Sequence, residues 1–200
     1  MILHTFGDSH CWYGGWNTIN IPNLTIKCNR MDNPPEGTTM VKFGLQKLNI
    51  IDIKKYDVNE GDAVCFCMGE VDCRMHICKP KNFEIYKTLI DEIVNRYFEA
   101  IKENVEQYEN LITIVFNVVP PVKPYAGVFV GTDEERKEVT LFMNLKLKKY
   151  CEKYNYIFFD VYDKYCDEDG LLDRKYSDDH HIRDEIFMKE FLENYFKLKI

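Results

Sequence analysis

Four short apolar runs, separated by stretches of helical periodicity, constrain this chain more than any other feature. They are residues 1–6, ending at Gly7; 62–68, ending at Gly69; 111–119, stopped by Pro120-Pro121; and 156–161. Each is continuous rather than alternating and rich in β-branched or aromatic residues, the pattern of a strand covered on both faces. Another strand is expected within 19–27, weakened by Pro22, which cannot donate to a ladder. Between the runs, the segment 83–105 places Tyr86, Leu89, Ile90, Ile93, Val94, Tyr97 and Ile101 on one helical face. Thr132 with Glu135 three residues on is a capping-box signature, opening a helix to about Tyr154. Residues 184–198 carry a last amphipathic pattern, and 39–48 a short helix. Strands that alternate with helices are joined by crossovers. The expected fold is therefore α/β, a mostly parallel five-stranded sheet with helices on both faces. Without repeats, low-complexity tracts or linkers, residues 1–200 read as a single domain.

Composition narrows the function. Apolar residues make up 46% of the chain, enough for a full core, and the net charge is −7. Acidic and basic residues are intermixed, so the basic footprint of a nucleic-acid binder is absent. No apolar run approaches the length of about 18 residues that a membrane span needs. The apolar start before Asp8 is also too short for a secretory leader, so a cytoplasmic location is expected. None of the eight cysteines forms a C-x-x-C pair. Free thiols in a reducing compartment are expected, with neither a metal nor a cofactor.

In an open parallel sheet, active-site residues gather beyond the carboxyl ends of the strands. Gly7-Asp8-Ser9-His10 follows the first strand. A serine at a strand-to-helix junction presents its hydroxyl where backbone N–H groups also point. Gly-Asp-Ser is equally a common turn. The second element, Ser177-Asp178-Asp179-His180-His181-Ile182, precedes the last helix. A serine nucleophile needs a base within reach, and the base needs a carboxylate to fix its tautomer. Asp178 and His181, three apart, can make that pair on one loop; a surface turn with incidental histidines is the other reading. No third ligand is spaced to match His180 and His181 as a metal site.

Taken in order, Gly7-Asp8-Ser9 after the first strand and Asp178-x-x-His181 before the final helix resemble the first and last blocks of the SGNH hydrolases, the GDSL esterases and lipases. The match in order spans the chain. The resemblance implies a flavodoxin-like three-layer α/β/α sandwich with a Ser9–His181–Asp178 triad. The middle blocks depart from it. The family's Gly-x-Asn-Asp block carries an asparagine that donates to the oxyanion; here the run is Gly69-Glu70-Val71-Asp72. A missing oxyanion donor can cost about 100- to 1000-fold in rate. The run from Gly69 to Ile77 is similar to a branch with Gly-Glu-Ile/Val-Asp-x-Arg.

Arg74 and His76 then become candidates for the missing donor. Arg74 can reach the oxyanion or clamp an anionic group bidentately; alternatively it pairs with Glu70 or Asp72 and shapes the loop. Glu70 and Asp72 read as loop-fixing residues beside the substrate, and His76 as a polar residue near a helix start. For the family's second block, whose glycine N–H completes the oxyanion hole, Gly37 is best placed, since Gly44 falls inside a helical pattern. Trp12, Tyr13 and Trp16 flank the nucleophile and either line a sugar-binding crevice or pack the loop. Pro120-Pro121 and Tyr125 border the cleft. The expectation is a serine esterase acting on small acyl esters, foremost O-acetyl groups on carbohydrate, without a cofactor. The alternatives are an O-acyltransferase decorating a glycan through the same acyl-enzyme, or a non-catalytic glycan-binding or interaction domain.

Overall fold

The computed structural model describes residues 1–12, 16–30, 38–80, 82–124, 129–178 and 181–197. The five strands are β1 (Ile2–Gly7), β2 (Thr25–Arg30), β3 (Ala63–Cys67), β4 (Ile112–Phe116) and β5 (Ile157–Phe159). They form one sheet in the order β2-β1-β3-β4-β5, and every neighbouring pair is parallel. The helices are α1 (Met40–Gln46), α2 (Glu70–Asp72, continuing into a π turn at Cys73–Ile77), α3 (Phe83–Val105), α4 (Asp133–Tyr154) and α5 (Ile186–Lys197).

Both faces of the sheet are buried, as continuous apolar strands require. Phe6, Val64, Phe66 and Val115 pack with Phe43 of α1, Val94 of α3 and Val139 of α4. The alternate residues Leu3, Cys65, Cys67, Ile114, Phe116 and Phe159 face the other way, into a core closed by Trp16 and by Met188 and Leu192 of α5. The result is the three-layer α/β/α sandwich expected from the alternation. The order reverses between β1 and β3, so a crevice opens beyond their carboxyl ends.

Local signals placed several boundaries well. The Thr132 capping box is formed, with Thr132 N–H donating to Glu135 at 2.7 Å and Glu135 N–H donating to Thr132 at 3.2 Å. Two boundaries differ from the sequence reading. Pro22 lies in a turn closed by an isolated Ile21–Leu24 bridge, and β2 starts only at Thr25. The apolar run 111–119 leaves the sheet at Phe116. Beyond it, the Asn144 side chain from α4 accepts from Val118 N–H at 2.7 Å and donates to Val118 C=O at 2.8 Å. Side-chain amides thus satisfy backbone groups that a longer strand would have paired. The eight cysteines are free, and Cys65 and Cys67 bring their sulfurs to 3.7 Å on the α5 face. Among the described residues, no helix is long and apolar enough to cross a membrane.

At the crevice, Gly7 lies against β3 so closely that an added Cβ would meet the Cys67 carbonyl oxygen at 1.8 Å. Gly61 also has a positive φ, of 83°, but open space around it. Gly7→Ala is expected to cost about 3 kcal/mol or more, because the clash is with backbone. Gly61→Ala should cost only about 1–2 kcal/mol, the left-handed penalty. Denaturant unfolding of the two variants beside wild type measures the difference.

Candidate active site

The first strand delivers Ser9 in a tight 3-10 turn, Ser9–Cys11, capped by Asp8, whose carboxylate accepts from the His10 N–H at 2.9 Å. The turn is tied down from below as well. The buried Trp16 indole N–H donates to the His10 carbonyl at 2.9 Å, and Thr5 Oγ1 donates to the Cys11 carbonyl at 2.7 Å. Trp16 therefore packs the loop instead of lining a crevice, whereas Trp12 is 39% exposed. The Ser9 N–H opens the turn, where an amide has no acceptor within its own helix.

The loop before α5 is closed on itself. Asp178 Oδ1 accepts from the His181 N–H at 2.9 Å, and the Asp178 N–H donates to the His181 carbonyl at 3.1 Å. That turn aims the imidazole at Ser9: His181 Nε2 lies 3.0 Å from Ser9 Oγ, and Nδ1 lies 3.4 Å from Asp178 Oδ1. The other carboxylate oxygen, Asp178 Oδ2, accepts from Arg183 Nε at 2.6 Å and also contacts Arg183 Nη2. With a proton on Nδ1 facing the carboxylate, the Nε2 lone pair faces the serine hydroxyl, the arrangement a general base needs.

The residues after β3 divide differently. Arg74 makes a two-pronged pair with Glu70, Nε to Oε1 at 2.6 Å and Nη2 to Oε2 at 3.3 Å, and its guanidinium sits 5.7 Å from the Phe129 ring. Asp72 is fully buried and turned toward α1, accepting from Met40 N–H at 2.8 Å and Val41 N–H at 3.3 Å. Burial pushes its carboxyl up to about 6, against the pull of those two amides. His76 is exposed beside Lys79. Val71 is half-buried within α2. Gly44 lies in α1 against α3, where an added Cβ would meet Arg96 at 3.0 Å. Gly37, Tyr13, Tyr125 and His180 lie outside the described residues.

Two small spaces lie beside these residues. One is bordered by Asp8, His10, Glu70 and Asn117. The other is bordered by Arg74, Pro121, Phe129 and Arg136, and both have Glu70, Val118 and Val119 in their walls. Among the described residues, no cluster of three metal-ligating side chains exists. Two neighbours of Ser9 were not legible as site residues in the sequence: Asp8, which is 2% exposed, and His10, which is 7% exposed. The only available signal was the Asp-x-His spacing within the Ser9 turn itself.

Comparison by sequence finds no matching family and no matching curated relative. Comparison by structure finds many. A protein assigned as an acylhydrolase from Bacteroides fragilis aligns at a TM-score of 0.63 and 13% identity, covering 99% of this chain and 87% of its own. A GDSL-like lipase from Bacteroides thetaiotaomicron gives a TM-score of 0.59 at 14% identity, with 100% and 89% coverage. Est24, a carbohydrate acetylesterase from Sinorhizobium meliloti, gives 0.55 at 16% identity, with 99% and 98% coverage. The chain shares the three-layer α/β/α fold of these proteins. At such identities the likeness is one of architecture over the whole chain.

The raised carboxyl of Asp72 has a consequence for stability. A carboxylate harder to ionise in the folded state stabilises below its unfolded pKa, near 4, and that contribution is lost as pH rises through about 6. Asp72→Asn keeps an acceptor for the α1 amides and removes the titration. Relative to this variant, wild type should lose about 2 kcal/mol between pH 4 and pH 7. Urea unfolding of both proteins across that range is the check.

Proposed function

We propose that the chain is a serine esterase of the SGNH type that hydrolyses small acyl esters, foremost O-acetyl groups on carbohydrate. The observation that carries this reading is the 3.0 Å approach of His181 Nε2 to Ser9 Oγ, between residues 172 positions apart in the chain. Ser9 attacks the acyl carbonyl while His181 takes its proton. Asp178 holds the imidazole and offsets the positive charge it gains. His181 then returns the proton to the leaving alcohol, and water repeats the sequence in reverse to free the acid. The Ser9 N–H, unused within its own turn, supports a backbone oxyanion hole, with Gly37 as the second donor. Arg74 is occupied by Glu70, which favours a loop-shaping role for that pair over direct contact with the oxyanion. The acetyl-carbohydrate preference draws support from the acetylesterase among the neighbours.

A fluorophosphonate probe should modify wild-type protein at Ser9. Ser9→Ala and His181→Ala should each lower kcat/KM toward p-nitrophenyl acetate by about 10⁴-fold or more. A folded protein that the probe leaves unmodified would remove the enzyme reading altogether. Val71→Asn discriminates the oxyanion donors: with backbone donors sufficient, hydrolysis changes only modestly. A gain approaching the ~100- to 1000-fold worth of a side-chain donor would mean that the backbone alone does not suffice.

A further inference from the structure

The nucleophile turn carries a second histidine that the hydrolytic scheme leaves idle. The His10 ring stands 4.9 Å from that of His181, centroid to centroid, at an interplanar angle of 44°. Its Nδ1 lies 3.1 Å from Asp8 Oδ1, the same oxygen that accepts the His10 amide. Asp8 is itself nearly inaccessible, and its other oxygen, Oδ2, is buried with no hydrogen-bond partner among the described residues. Two Asp–His pairs thus face each other beside Ser9: Asp178–His181 from the C-terminal loop and Asp8–His10 from the turn itself.

We propose that His10, held by Asp8, is a positioning residue for the base: its ring is the wall against which His181 packs, and its protonation keeps His181 neutral. A buried carboxylate with an unsatisfied oxygen is costly unless a positive charge sits beside it, so Asp8 draws a proton onto His10. At the separation of the two rings, imidazolium charges repel by more than one pK unit at the effective dielectric of a protein site. Groups coupled that strongly titrate as a pair. As pH falls, the first proton goes to the Asp8–His10 pair, and the second, on His181, is delayed. His181 therefore stays a competent base to lower pH than it would alone. The other titratable groups around the Asp8–His10 pair, among the described residues, include Cys11 in the turn itself, Cys67 at the end of β3, Glu70 and Asp72 on α2, and Asp178 beyond His181. All of them remain in the variants below, so a difference between variants reports His10.

This inference rests on Ser9 as nucleophile and His181 as its base, so the experiment reads the two separately. Ring resonances of His181 are followed by NMR against pH in wild type, His10→Phe and His10→Gln, alongside the pH dependence of Ser9 modification by a fluorophosphonate. Phenylalanine keeps the ring wall, and glutamine keeps a donor toward Asp8; neither takes a proton. Wild type should show a two-step His181 titration. Either folded variant should show a single step, with its midpoint about one pH unit higher. The acid limb of Ser9 modification should move with it. A residue that only filled space would leave the midpoint in place under His10→Phe, and an unmoved single-step titration in wild type and both variants overturns the proposal. Failure of the probe to modify Ser9 in wild type at any pH defeats the nucleophile reading instead.

Discussion

The contact between Gly7 and the Cys67 carbonyl is the constraint on which the rest of the site depends. β1 and β3 run side by side to their carboxyl ends, and the space between them admits no side chain at position 7. Immediately past that point the Asp8 N–H donates to the same Cys67 carbonyl at 3.2 Å, so the Ser9 turn begins anchored to the neighbouring strand. Trp16 and Thr5 then hold its far end. Ser9 stands on a turn with little freedom to drift, at the point where the sheet order reverses and a crevice is open. A loop arriving after β5 can meet it there, and the self-closed turn of Asp178 and His181 does.

Polar residues near the crevice fall into two groups by what they satisfy. Asp72 answers the first amides of α1, Asn144 answers both backbone groups of Val118, and Glu70 answers Arg74. These are loop-holding interactions. Each satisfies polar groups that burial would otherwise leave costly. Ser9, His181, His10 and Asp8 form the other group, in which rings and carboxylates face one another around a hydroxyl. Position 71 belongs to neither, since its valine offers no polar atom. Within the helix–turn after β3, the polar side chains serve the architecture.

The cost of burying carboxylates shows in both groups. Asp72 is held as an acceptor for two amides, yet burial still pushes its carboxyl to about 6. Asp8 has one oxygen occupied by His10 and the other unsatisfied. The two acids are close enough that the Asp8 charge adds to the upward push on Asp72.

Local chemistry was legible in the sequence. The Thr132–Glu135 capping box, the helical face of α3 and the continuous apolar strands each rest on interactions within a few residues, so spacing alone predicts them. The turn joining Asp178 to His181 is of the same kind, three residues long and closed by its own hydrogen bonds. The end of β4 was not legible, because amides from α4, distant in sequence, decide it. Nor was the direction of Asp72, set by where α1 begins, or the partnership of His10, set by a loop at the opposite end of the chain. The sequence by itself determined the layers, the capped helices and the residue types able to form a nucleophile, a base and its carboxylate. Only the tertiary structure decided which side chains meet, because strand order and helix placement bring together groups whose separation along the chain carries no record of their separation in space.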